Sequence, residues 1–155
     1  MAGKVSAGIL LFRRVAGILE VLLAHPGGPF TVKKDIGIWS IPKGEAANDE
    51  SLLERAKIEF AEEIGTLPSG EFIELGSIKQ KGGKVVHAWA LEGDFTGPHS
   101  SNTFELEWPP RSGKLQNFPE VDRAEFFNLE SALLKINGAQ RDFLERLVAE
   151  LKREP

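Results

Sequence analysis

Between residues 49 and 64 the chain carries two patterns that only one backbone conformation satisfies together. Leu53, Ala56, Phe60 and Ile64 recur at steps of three and four, which an α-helix gathers into a single apolar stripe. At about 100° per residue, Glu59, Glu62 and Glu63 then share an arc of about 100° beside that stripe. Asn48 or Asp49 can cap the start of this helix, and Gly65 can end it in the left-handed conformation. The rest of the fold must cover the stripe and leave three carboxylates together on the adjoining face.

Three acids so crowded repel one another unless a cation sits among them, and hard oxygen donors suit Mg²⁺ or Mn²⁺. The same spacing also describes the solvated acidic face of an ordinary surface helix. Acid spacing alone therefore does not separate a metal site from a wet surface.

Residues 5–12 and 19–24 are short β-rich runs joined through residues 13–17, which reads as an antiparallel hairpin. The breaker sequence His25-Pro26-Gly27-Gly28-Pro29 opens an exposed loop containing Lys33, Lys34 and Asp35, and residues 36–41 follow as a short strand interrupted by Gly37. Beyond the helix, residues 72–80 and 84–91 form a second hairpin. Residues 93–119 carry four prolines and three glycines around a short strand at 103–107, so they read as a long surface excursion. A strand at 124–127, a short helix capped by Asn128 and an amphipathic helix at 139–151 close the chain. The order β, β, β, α, β, β, β, α implies a mixed sheet with helices packed against it.

The length of 155 residues suits one domain, residues 1–155. Nineteen basic against 23 acidic residues give a formal −4, which argues against nucleic acid or an anionic membrane as the main partner. With no cysteine, neither disulfides nor a thiolate zinc site is available. The start, Met1-Ala2-Gly3-Lys4-Val5-Ser6, lacks the apolar run of a secretory leader, and no stretch approaches the roughly 18 apolar residues of a spanning helix. A cytoplasmic location is the resulting expectation.

The sequence Trp39-Ser40-Ile41-Pro42-Lys43-Gly44-Glu45 leads into the helix, and from Gly44 onward the spacing resembles the Nudix hydrolase family, whose box reads G-x5-E-x7-R-E-U-x-E-E-x-G-U with U apolar. Gly44, Glu50, Glu59, Phe60, Glu62, Glu63 and Gly65 match it at every required interval. Two positions depart: Thr66 stands at the last apolar position, and Ile58 stands where the family has an arginine that helps hold the catalytic carboxylates. On the helical wheel Ile58 lies away from the apolar stripe, whereas Arg55 sits one turn before Glu59 on the acidic face, where it could substitute.

The resemblance implies an α/β (α+β) Nudix fold, a mixed β-sheet sandwiched between α-helices. It implies a metal-dependent hydrolase that cleaves a phosphoanhydride bond in a nucleoside diphosphate derivative. Mg²⁺ or Mn²⁺ would be held by Glu59, Glu62, Glu63 and the backbone carbonyl of Lys43, and the catalytic set would be Glu59, Glu62, Glu63 and Glu120. Glu120 enters because the segment from Glu120 to Phe127 is similar to one in which many family members carry a downstream acid; the alternative is a loop glutamate paired with Arg123. Lys43 is also read as a phosphate contact, while Lys33, Lys34, Lys79, Lys81 and Lys84 read as solvated charges. Trp39, Phe30, Trp89 or Trp108 could stack a base, although each could equally be packing.

Markers of substrate subclass are missing: the chain has no tyrosine, and Gln80 stands near where the ADP-ribose branch carries a proline. Nucleoside triphosphates and dinucleoside polyphosphates rank first. The rival reading is a Nudix-fold nucleotide-binding regulatory module with little turnover, which Ile58 favours. Isoprenoid isomerase chemistry would need a reactive cysteine. The expected partner is a small-molecule nucleotide, and Phe104, Trp108 and Arg111 in the excursion could serve a pocket or a homodimer contact.

Overall fold

The computed structural model describes residues 4–67 and 69–154. Residues 1–3, part of the N-terminal stretch read above for a leader, lie outside the described residues.

Strand β1 (Val5–Val15) turns back into β2 (Ile18–Pro26) through Ala16 and Gly17 alone, both at positive φ. A two-residue turn of that kind matches the natural twist of a hairpin. Next comes β3 (Lys43–Glu45), and then α1 (Leu52–Ile64). Strands β4 (Phe72–Lys79) and β5 (Val85–Glu92) form the second hairpin; β6 (Thr103–Glu107) and β7 (Leu115–Pro119) form a separate one. The chain ends with β8 (Val121–Asn128), α2 (Leu129–Lys135) and α3 (Arg141–Lys152).

The main sheet runs β4-β5-β1-β2-β8, with β1 parallel to β5 and the other pairs antiparallel. Along its second edge β1 changes partner: Phe12 to Val15 pair with β2, while Ser6 to Gly8 pair with β3. Strands β1 and β2 therefore diverge, and β3 enters the gap.

Alternation along the strands divides the core into two layers. Leu10, Phe12, Val21, Leu23, Val86 and Ala88 face α2 and α3 with Phe143, Leu144 and Leu147, whereas Ala7, Ile9, Leu11 and Leu22 face α1 through Ala56, Phe60 and Ile64. The mixed sheet between helices is thus as expected, and the predicted stripe of α1 is buried at Ala56, Phe60 and Ile64, with Leu52 rather than Leu53 packed against that layer.

Several boundaries moved. Helix α1 starts later than the cap expected at Asn48 or Asp49, because Ser51 is the N-cap and its hydroxyl accepts from the Glu54 N–H at 3.4 Å. The far end is as expected, with Gly65 left-handed and its N–H bonded to the Ala61 carbonyl. Residues 36–41 do not form a strand. Their backbone groups bond elsewhere: the Gly37 and Trp39 N–H groups donate to the Leu134 and Lys135 carbonyls at the end of α2, and Ser40 makes an isolated bridge with Ala24. Strand β7 was not anticipated, and β8 is longer than residues 124–127.

Candidate active site

Strand β3 brings Lys43, Gly44 and Glu45 alongside the acidic face of α1. It can lie so close to β1 because residue 8 is glycine; a Cβ there would press on the Pro42 carbonyl and the Lys43 side chain. Gln140, buried just before α3, holds the approach to β3: its Oε1 accepts from the Ile41 N–H at 3.0 Å, and its Nε2 donates to Ser40 Oγ at 3.0 Å and Gln80 Oε1 at 2.9 Å. Beside β3, the Lys43 N–H donates to Glu63 Oε2 at 2.9 Å. Gly44 faces Glu59, whose carboxylate fills the space that a Cβ at residue 44 would need.

The excursion after β5 returns to this place. The Ser100 and Asn102 N–H groups donate to the Ile64 and Glu62 carbonyls at the end of α1, and the Glu120 N–H donates to the Asn102 carbonyl at 2.8 Å. The free carbonyls of the helix terminus thereby find partners. The same contacts bring Glu120 to the acidic face. A cavity of about 340 Å³ results, lined by Lys43, Gly44, Glu45, Glu59, Glu62, Glu63, Asn102 and Glu120. A narrower groove continues from Lys43, Glu63 and Glu120 past Ser40 and Ile41 to Ala24 and Pro26, in the gap between the diverging strands. A larger cavity of about 520 Å³ on the far side of Glu45 contains none of the three helical carboxylates at 59, 62 and 63, so the chemistry points to the smaller one.

Lys43, Glu59, Glu62, Glu63 and Glu120, expected from the sequence to hold metal, bind phosphate or carry the chemistry, all line this one cavity, whereas Glu50 lines the larger one. Glu45 and Asn102 line the smaller cavity as well and were not foreseen. No local signal marks Asn102, because its position depends on the excursion folding back. Arg123 pairs with Glu125 at 3.9 Å and is no partner of Glu120. Lys33, Lys34, Lys79, Lys81 and Lys84 are exposed. Trp39 is buried in the core with its indole N–H on Asp35, which removes it as a base platform.

The crowding of charge is visible in the protonation equilibria. Burial pushes the Glu63 carboxyl up to about 8, with the charge of Glu59 adding to it against the Lys43 N–H. Glu59 is also raised, first by burial and then by Glu62, while Arg55 opposes the shift. Burial lowers the Lys43 ammonium, with Lys84 reinforcing the effect. A set of hard oxygens held partly out of water, with the proton affinities of Glu59 and Glu63 raised, fits a divalent cation. Among the described residues no three of these side chains already converge on one point, since Glu63 faces the Lys43 N–H and Glu59 faces Arg55.

Comparison with known proteins agrees with this fold. No curated protein gives a significant sequence match. Among solved structures, the chain is similar to the NUDIX domain of Shewanella oneidensis NrtR complexed with ADP ribose, at TM-score 0.69 and 17% identity, covering 97% of this chain and 90% of that one. It is also similar to a C. elegans Ap4A hydrolase binary complex, at TM-score 0.67 and 21% identity over 95% and 98% of the two chains. A MutT protein from Methanosarcina mazei Go1 follows at TM-score 0.59 and 23% identity over 98% and 97%. At these identities the likeness is one of fold. The NUDIX domain family model, however, matches residues 3–147, nearly the whole chain, so the chain belongs to the NUDIX domain family.

Proposed function

We propose that this protein is a metal-dependent hydrolase that cleaves a phosphoanhydride bond in a nucleoside diphosphate derivative, with nucleoside triphosphates and dinucleoside polyphosphates as the first candidates. The observation that carries the reading is the meeting of Glu59, Glu62, Glu63 and Glu120 in one cavity with Lys43. Glu59, Glu62, Glu63 and the Lys43 carbonyl would hold Mg²⁺ or Mn²⁺. When bound, such an ion offsets phosphate charge and acidifies a water.

The protein's own groups supply the rest. The Lys43 ammonium meets phosphate oxygens, a role suited to a cation already partly out of water. One of the helical glutamates, or Glu120 reaching the cavity from outside the helix, takes the proton of the attacking water. The Lys43 N–H orients Glu63. The groove toward Ala24 and Pro26 receives the part of the substrate beyond the phosphates. In this reading residues 1–155 are one hydrolase domain working in the cytoplasm.

A nucleotide-binding module with little turnover is the second reading, favoured by Ile58 at the family's arginine position. The deciding experiment is product mass spectrometry on nucleoside triphosphates, diadenosine polyphosphates, ADP-ribose and nucleotide sugars with Mg²⁺ or Mn²⁺, using wild type and Glu62→Gln. The proposal expects metal-dependent cleavage that the substitution abolishes. Binding of a nucleotide with no cleavage of any member would favour the module.

A further inference from the structure

We propose that Arg55 performs the carboxylate-holding task that Ile58 cannot, so that the positioning guanidinium of this enzyme has moved one helical turn toward the start of α1. The inference rests on the hydrolase reading above and concerns what holds Glu59 in place.

Arg55 bridges two acids of the box. Its Nη2 lies 2.6 Å and its Nε 2.8 Å from Glu50 Oε2, and its Nη1 donates to Glu59 Oε1 at 3.3 Å. Glu50 is itself anchored, since its Oε1 accepts from the Ala47 N–H at 3.0 Å in the loop between β3 and α1. A chain of contacts thus runs from that loop through Glu50 and Arg55 to Glu59, whose carboxylate rests against Gly44 on its other side. Glu59 is held between a guanidinium and a glycine.

All three side chains of this bridge are mostly covered, at 25% exposure for Arg55, 22% for Glu50 and 17% for Glu59. That separates it from the exposed surface pairs that contribute little. Ile58, by contrast, is 42% exposed and has no polar atom to offer. Position 58 lies one turn from Arg55 and directly before Glu59, so an arginine placed there asks whether a guanidinium at the family's position can take up the same task. The fork matters as much as the charge: Nε and Nη2 both meet Glu50 while Nη1 extends to Glu59, and a lysine ammonium offers no such planar spacing.

The test uses the full chain with Arg55→Gln, Arg55→Lys, Ile58→Arg and the double variant Arg55→Gln/Ile58→Arg. Three quantities are read: kcat and KM on whichever panel nucleotide the wild type cleaves, Mn²⁺ affinity by electron paramagnetic resonance without nucleotide, and the thermal unfolding midpoint. Arg55→Gln should lower kcat and Mn²⁺ affinity by about 10- to 100-fold, as loss of a partner that orients ligands does, with KM little changed. Arg55→Lys should recover little of this, whereas adding Ile58→Arg should recover most of it, which a merely structural residue would not permit. Arg55→Lys keeps the stem and the charge and carries the comparison should Arg55→Gln fail to fold.

Unchanged kcat and Mn²⁺ affinity in folded Arg55 variants, or no recovery on adding Ile58→Arg, would overturn the role of Arg55 alone. A wild type that neither cleaves the panel nor binds Mn²⁺ would overturn the hydrolase reading instead.

Discussion

The carboxylate of Glu59 lies against the Cα of Gly44, in the space that any larger residue at position 44 would claim. Strand and helix approach this closely only because one of the two has no side chain there. Gly44→Ala should therefore displace Glu59 and leave the sheet intact. A misplacement of this size at a reacting centre costs about 100-fold in rate, so kcat should fall by that order while the thermal midpoint moves by only a few degrees. Full activity in the folded variant would show that the placement of Glu59 does not matter.

The proton on Glu63 gives a pH dependence with a definite sign. Its folded value of about 8 stands well above the ordinary glutamate value of about 4.3. Between these limits the folded state holds a proton that the unfolded chain has released. The contribution to stability is therefore complete below the lower value and is lost as pH rises through about 8. Metal-free wild type should lose thermal stability over this window more steeply than Glu63→Gln, which accepts the Lys43 N–H but cannot ionise. Parallel curves for the two proteins would contradict the assignment.

Phe60 is fully buried between α1 and the sheet, in the layer with Ile9, Leu11 and Leu22. Phe60→Ala leaves a cavity that the strands cannot close and should cost about 3–5 kcal/mol in urea unfolding. A loss below about 1 kcal/mol would mean that the helix is not held by this face.

Gln140 tests how firmly β3 is approached. Gln140→Leu keeps the volume but leaves the Ile41 N–H without its acceptor, and an unpaired buried donor costs about 1–3 kcal/mol. Chemical denaturation should show that loss. Equal stability of wild type and Gln140→Leu would show that another group takes over.

What could be read from the sequence was what is encoded locally. The three- and four-residue steps on α1, the left-handed Gly65, the Asn128 cap and the alternation of the paired strands each follow from the spacing of a few neighbouring residues, and each stands where spacing put it. The side on which Glu59, Glu62 and Glu63 gather is likewise set by helix geometry, as is the exclusion of Ile58 from the buried stripe. Tertiary structure decided the rest. Residues 36–41 contain the apolar side chains of a strand, yet their backbone partners come from α2 and β2, so the strand forms instead at Lys43–Glu45, where Gly8 lets it approach. Glu120 and Asn102 reach the site because the free carbonyls at the end of α1 draw in a segment some 40 residues away in the chain. That Arg55 bridges Glu50 as well as Glu59 was also beyond the motif, because it depends on the loop between β3 and α1 folding so that the Ala47 N–H anchors Glu50.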